Sequence, residues 1–312
     1  MNDYMRVILN YIVNGDYQKA RDTTEAYLRQ NKIARDQDFC DRMLEKLNAY
    51  GKLEIPYNLR DIIQTSCTPY PFEPERYFMS EREKVALEHV KKMQRAGQYM
   101  ANRGLRYANT ILLYGESGTG KTTFAQYIAK TLNLPFLYIS ITQLIDSYLG
   151  KTGQNLALVF NFITNINGGA VVVLDELDSI GGKRLEGGAV SSEMKRILIA
   201  MLENIDRINN SIILVGATNR PQVLDDALLR RFTMKHEVSR LNEEEAVQLI
   251  HQHLKNADMT WSDLELSCEP LEWLRTSVDQ NQTDNSNPSY VAAIIIDRLN
   301  EQIAATLLKN MA

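Results

Sequence analysis

Four short, almost wholly apolar runs mark the middle of this chain: Thr110 to Tyr114, Phe136 to Ser140, Ala170 to Leu174 and Ser211 to Gly216. Their brevity and lack of polar alternation predict parallel strands buried on both faces. Each is followed by a helical stretch of crossover length, so the middle of the chain reads as a doubly wound α/β layer. Ahead of it, Ser80 to about Gln98 is helical in pattern, with Ala86, Val90 and Met93 on one face. Past Leu241 the texture is all helical, including Glu243 to Leu254 and Ser289 to Leu308, with a polar loop over Gln280 to Asn287 between them. From Asp3 to about Tyr50 three amphipathic helices are expected, punctuated by Asn14-Gly15-Asp16 and Ala34-Arg35-Asp36. Pro56, Pro71 and Pro74, in a stretch with little periodicity, predict a linker or extended arm. The expected organisation is a helical bundle over 1–50, a linker over 51–79, an α/β core over 80–240 and a helical lid over 241–312.

Composition narrows the class without naming a function. With 312 residues, 44% hydrophobic and 24% charged, and a formal net charge of -4, the chain has enough apolar material for several buried cores and is not a disordered one. No run of about 18 apolar residues occurs, so no membrane span is expected. Asp3, Arg6, Asp16 and Lys19 break the pattern of a secretory leader, and a cytoplasmic location is expected. Cys40, Cys67 and Cys268 have no metal-binding spacing. His251 and His253, two apart on a predicted helix, face different ways, and neither His89 nor His236 adds a second ligand nearby. Trp261 and Trp273 are expected in the core or interface of the lid. The slight acidity argues against a chain-wide nucleic-acid surface and leaves a local basic patch open.

The chemistry begins directly after the first apolar run. Gly115-Glu116-Ser117-Gly118-Thr119-Gly120-Lys121-Thr122, followed by Thr123, fits the phosphate-binding loop pattern in its required strand-to-helix context. Glycines let consecutive backbone N–H groups turn inward around phosphates, the helix presents its positive end, and a lysine reaches the β- and γ-phosphates. This predicts ATP as ligand, with Thr122 a ligand to Mg²⁺. About 55 residues on, the run Val171-Val172-Val173-Leu174 ends in Asp175 and Glu176, the Walker B arrangement. Asp175 is expected in the magnesium shell. Glu176 is expected to act as general base on the attacking water.

Four further segments resemble the AAA family of ATPases, and with the two above they cover the chain from roughly Ser80 to its end. DELDSIGGKR, Asp175 to Arg184, is similar to the family's Walker B strand running into its second pore loop, where Lys183 and Arg184 would line a channel or pair with a neighbour's acids. VGATNRPQVL, Val215 to Leu224, resembles the sensor-1 strand, which implies that Asn219 contacts the γ-phosphate or the lytic water. LDDALLRRF, Leu224 to Phe232, resembles the second region of homology, with Arg230 and Arg231 at the arginine-finger positions. Its compact double arginine is most similar to the branch that severs microtubules and disassembles membrane-scission polymers. Tyr148-Leu149-Gly150 resembles the aromatic pore loop of protein-translocating members. The resemblance implies a ring, expected to be a hexamer, in which fingers complete the neighbour's site and Tyr148 grips a polypeptide.

The pattern also has departures. Glu116 and Ser117 stand where the family often has two prolines, and Asn287-Pro288-Ser289-Tyr290 replaces a small Gly-Ala pair, so no adenine-contacting lid residue is carried over. Asn14 to Ala20 is reminiscent of helix-turn-helix modules in tetratricopeptide-like and microtubule-interacting-and-trafficking domains, which implies substrate or adaptor recognition by the N-terminal bundle. Two other classes share the fold: a nucleic-acid-handling loader, distinguished by DNA rather than peptide stimulating turnover, and a nucleotide switch, distinguished by very slow turnover even when assembled.

Overall fold

The computed structural model describes residues 3–13, 17–30, 40, 55–66, 72–146, 152–166, 168–180, 189–278 and 289–311. At its centre is a five-stranded, all-parallel sheet of β1 (Asn109–Tyr114), β2 (Phe136–Ser140), β3 (Ala170–Asp175), β4 (Ile212–Thr218) and β5 (Met234–Glu237), in the order β2-β3-β4-β1-β5. Residues of each strand alternate between two cores. Leu112, Val172, Leu174 and Leu214 face one layer with α6 (Thr152–Thr164) and α7 (Ala189–Ile205), through Phe160 and Met201. Ile111, Leu113, Val171, Val173, Ile213 and Val215 face the other, with α3 (Glu81–Ala101) and α4 (Lys121–Thr131), through Val90, Phe124 and Ile128. A strand covered on both sides has no face to leave polar, which is why the sequence shows unbroken apolar runs.

β5 is the strand that the apolar pattern does not announce. It is a four-residue edge strand, paired with β1 from Ile111↔Met234 to Tyr114↔Glu237, and only Met234 is buried in it. The opposite edge, β2, is closed by backbone from the stretch expected to be a linker: Gln64 and Tyr138 exchange N–H···O bonds of 2.9 and 2.7 Å. Just before that bridge, Leu59, Ile62 and Ile63 are buried in the same core as Phe160.

The lid assembles α9 (Glu243–Asn256) and α11 (Ala292–Met311) around Ala246, Ile250, Trp273, Ile295 and Leu299. A capping box between Asn242 and Glu245 starts α9, with three glutamates in its first turn where the helix dipole favours anions. Trp261 meets Trp273 edge-on at 5.8 Å and donates its indole N–H to the Cys268 carbonyl. At the other end of the chain, α1 (Asp3–Val13) and α2 (Tyr17–Gln30) lie antiparallel. Tyr4, near the start of one, donates to Gln30 at the end of the other, and its ring meets that of Tyr27 at a tilt, 5.1 Å between centroids. The remaining positions of the expected N-terminal bundle, other than Cys40, lie outside the described residues.

Residues 72–80 join core and lid. Tyr77 sits 5.0 Å from the Tyr127 ring of α4, and its carbonyl accepts from Gln252 of α9 at 3.1 Å. Beneath it is a buried acid: Glu83 accepts from Tyr77 Oη at 2.5 Å and from the N–H and hydroxyl of Ser80 at 2.8 and 2.9 Å. Burial pushes the Glu83 carboxyl above its ordinary value of 4.5, against these three donors. The folded state therefore holds this proton more tightly than the unfolded chain. Its stabilising contribution is complete below pH 4.5 and is lost as pH rises through the raised value. A neutral amide can accept from Ser80 and donate to the Tyr77 oxygen. Glu83→Gln is therefore expected to be at least as stable as wild type at pH 7, the gap closing toward pH 4. Thermal melts of both proteins across that range check it; a Glu83→Gln melt well below wild type at pH 7 would mean that the charged form is the stabilising one.

Candidate active site

The topology brings three loops to one end of the sheet. Tyr114 at the end of β1 is in register with Thr218 of β4, and Leu174 of β3 with Gly216, so the segments after β1, β3 and β4 open side by side where the strand order reverses. The loop after β1 turns through Gly115, Gly118 and Gly120, at φ 147, 81 and 102, angles that residues with a Cβ rarely adopt. Nothing lies within 4 Å of where a Cβ on Gly120 would project, so the mouth of the loop is open at that point. Thr119 ties the loop to itself by donating to the Glu116 carbonyl at 2.9 Å. Lys121 opens α4 and folds back, its ammonium donating to the carbonyls of Gly115 at 3.0 Å and Glu116 at 2.7 Å. Burial pushes this ammonium below the ordinary lysine range, opposed by the charges of Asp175, Asp178 and Glu116. A helix start, a turn through three glycines and a buried cation together suit a polyphosphate.

Thr122 and Asp175 meet across the loop, hydroxyl to carboxylate at 2.8 Å. Two oxygen donors of this kind, with room for water and substrate oxygens, match what a hard divalent cation such as Mg²⁺ takes. Among the described residues no group of three or more His, Cys, Asp or Glu side chains could form an all-protein metal cage. Glu176 follows in the left-handed region, φ 61 and ψ 41, and its N–H turns back to Asp175 Oδ1 at 2.8 Å. For a residue with a Cβ this costs about 1 to 2 kcal/mol. The twist sends two adjacent carboxylates in different directions.

Three positions given no role by the motifs complete the arrangement. Ser140, buried at the end of β2 in register with Asp175, donates to Glu176 Oε2 at 2.8 Å. Asp178 accepts from the buried hydroxyl of Thr218 at 2.8 Å and from the Asn219 N–H at 3.4 Å, linking the turn after β3 to the end of β4. Asn219 itself is exposed, and its side chain makes no hydrogen bond among the described residues.

The two arginines sit elsewhere and differ from each other. The Arg231 carbonyl accepts from Thr110 at the start of β1, whereas the phosphate loop follows the strand's end. Five residues of strand, about 16 Å, separate them along the sheet. Arg231 is tethered, donating to the Ala227 carbonyl and to Asp206, both at 3.1 Å. Arg230 is exposed, and its side chain makes no hydrogen bond or ion pair among the described residues. Tyr148, Leu149 and Gly150, as well as Lys183 and Arg184, lie outside the described residues.

The family model for the "ATPase family associated with various cellular activities (AAA)" matches residues 111–240, the span that holds every loop just described. This segment is an AAA ATPase domain. The chain is 35% identical over 155 residues to the 26S proteasome regulatory subunit 10B homolog A of Arabidopsis thaliana, 48% of this chain and 39% of that protein. It is likewise 35% identical over 158 residues to the 26S proteasome regulatory subunit 10B of Dictyostelium discoideum, 49% of this chain and 40% of the relative. It thus spans about two-fifths of the length of these relatives. A chain in the solved HORMA:CdnC:Trip13 complex of E. coli MS115-1 shares the fold, with a TM-score of 0.56 at 20% identity over 76% of this chain and 86% of that one. The five-stranded parallel sheet with its flanking helices is therefore the α/β fold of an AAA domain. No helix among the described residues is long and apolar enough to cross a membrane.

Proposed function

We propose that this chain binds Mg-ATP at the phosphate loop and hydrolyses it as one subunit of a cytoplasmic ring that remodels a polypeptide. The observation that carries the reading is the separation of Arg230 from the phosphate loop of its own chain. An exposed arginine at the far end of β1 can complete a nucleotide site only on another copy. Relatives named as proteasome regulatory subunits support the same direction, toward ring ATPases that act on protein.

In this reading Lys121 exchanges its two carbonyl partners for phosphate oxygens, and the N–H groups of residues 117 to 123 orient the triphosphate. Thr122 and Asp175 hold the cation, which when bound offsets charge on the phosphate oxygens. Glu176, steadied by Ser140, takes the proton of the attacking water. Asp178 fixes the backbone at Asn219, whose exposed amide meets the γ-phosphate or the lytic water. Arg230 neutralises charge in the neighbour's transition state.

The test is steady-state ATP turnover per subunit across protein concentrations, with sizing in ATP and with unfolded polypeptide or DNA added. Turnover that rises with concentration and responds to polypeptide is expected. Concentration-independent turnover would dismiss the ring, and stimulation by DNA alone would move the substrate to nucleic acid.

A further inference from the structure

The phosphate loop carries an acid on its own rim. Glu116 exposes its carboxylate, while its backbone is held inside the loop by the bonds that its carbonyl accepts from Lys121 and Thr119. A carboxylate carried on that loop puts a negative charge close to any polyanion that the loop binds. Arg240 meets it with both arms of its guanidinium, Nε at 3.0 Å and the terminal nitrogen at 2.7 Å from the same oxygen.

Arg240 is placed by backbone, not by chance of rotamer. Two residues earlier, the Val238 N–H donates to the Tyr114 carbonyl at 2.8 Å, and a Cβ on Gly115 would lie 2.2 Å from the Val238 oxygen. One residue later, Leu241 exchanges two 2.8 Å backbone bonds with Tyr290, at the entry to the last lid helix. That helix in turn touches the loop, the Ala293 N–H donating to the Gly118 carbonyl at 3.2 Å. Arg240 thus sits between one contact fixed to the sheet and one fixed to the lid.

We propose that Arg240 is a positioning residue for nucleotide binding: from the hinge between sheet and lid, it neutralises Glu116 so that the phosphate loop can accept a polyanion. The inference rests on the nucleotide reading above. Both partners are substantially exposed, so the pair itself adds little to fold stability. Its effect falls on anion affinity, because an unpaired carboxylate beside the loop repels every phosphate charge brought to it. Since the guanidinium moves with the hinge, the neutralisation holds in the lid orientation seen here and weakens when the lid swings. Lid position and nucleotide affinity are then coupled through this pair.

The experiment is equilibrium binding of fluorescently labelled ATP and ADP with Mg²⁺ to the full chain, as wild type, Lys121→Ala, Arg240→Ala, Glu116→Gln and the double variant Glu116→Gln/Arg240→Ala. Arg240→Ala is expected to weaken ATP binding about tenfold, with an unchanged melting temperature and a loss that shrinks at high salt. The double variant is expected to recover most of that affinity, since the charge to be neutralised is gone. An Arg240→Ala protein that binds as wild type overturns the proposal. So does a double variant as weak as Arg240→Ala, which would make Arg240 a direct phosphate contact. A wild type that binds no ATP, or a Lys121→Ala protein that binds it equally well, overturns the nucleotide reading itself.

Discussion

Glu176→Gln is expected to bind ATP as wild type does and to hydrolyse it about 10³-fold more slowly. The substitution keeps shape and the hydrogen bond from Ser140, because an amide oxygen can accept from that hydroxyl as a carboxylate does. It keeps the cation ligands, since Thr122 and Asp175 are untouched. What it removes is the capacity to take a proton. The left-handed backbone at Glu176 is what separates this role from that of Asp175, because it turns the chain sharply at the second of two adjacent carboxylates. Ser140→Ala tests the support behind it. Losing one donor to an exposed carboxylate leaves the base present but poorly held, and turnover is expected to fall by about tenfold at most. Binding of labelled ATP alongside single-turnover phosphate release separates the two effects. Near-normal hydrolysis by Glu176→Gln would move the base elsewhere; equal losses in binding and turnover would make Glu176 a binding residue instead.

The parts legible in the sequence are those in which adjacent residues share one job. β1 to β4 announce themselves because burial on both faces demands apolar residues at every position. The phosphate loop and the two acids are contiguous, and so are the arginines. β5 is not legible because an edge strand with one buried side chain needs no pattern. Gln64 is not legible because it pairs through its backbone, which every residue has. Ser140 and Asp178 reach their partners from 36 and 40 residues away. The one available signal for Ser140 is a small hydroxyl residue that ends the strand beside the acidic one. The same limit applies to Asp206, 25 residues from Arg231, which divides two arginines that look equivalent in sequence into one tethered and one free.

That division yields the second large effect. Arg230→Ala is expected to lower turnover of the assembled protein by about 10³-fold while leaving ATP binding to each subunit intact. The defect should also be repaired in mixtures, because a finger acts on the neighbouring copy. Adding Glu176→Gln subunits, which keep their arginines but cannot hydrolyse, should restore turnover at Arg230→Ala sites that lie next to them. Arg231→Ala is expected to act differently. Its guanidinium is spent on Asp206 and the Ala227 carbonyl, so its loss loosens the turn that presents Arg230 without removing the charge itself. Asp206→Asn should then reproduce much of the Arg231→Ala defect and leave the Arg230→Ala defect unaltered when combined with it. Turnover in mixed assemblies at fixed total protein decides this. Failure of the two inactive variants to complement would place the action of Arg230 within its own subunit, which about 16 Å of strand between it and the phosphate loop makes hard to achieve. Equal and complementing losses from Arg230→Ala and Arg231→Ala would instead show that the tether to Asp206 is released when neighbours assemble.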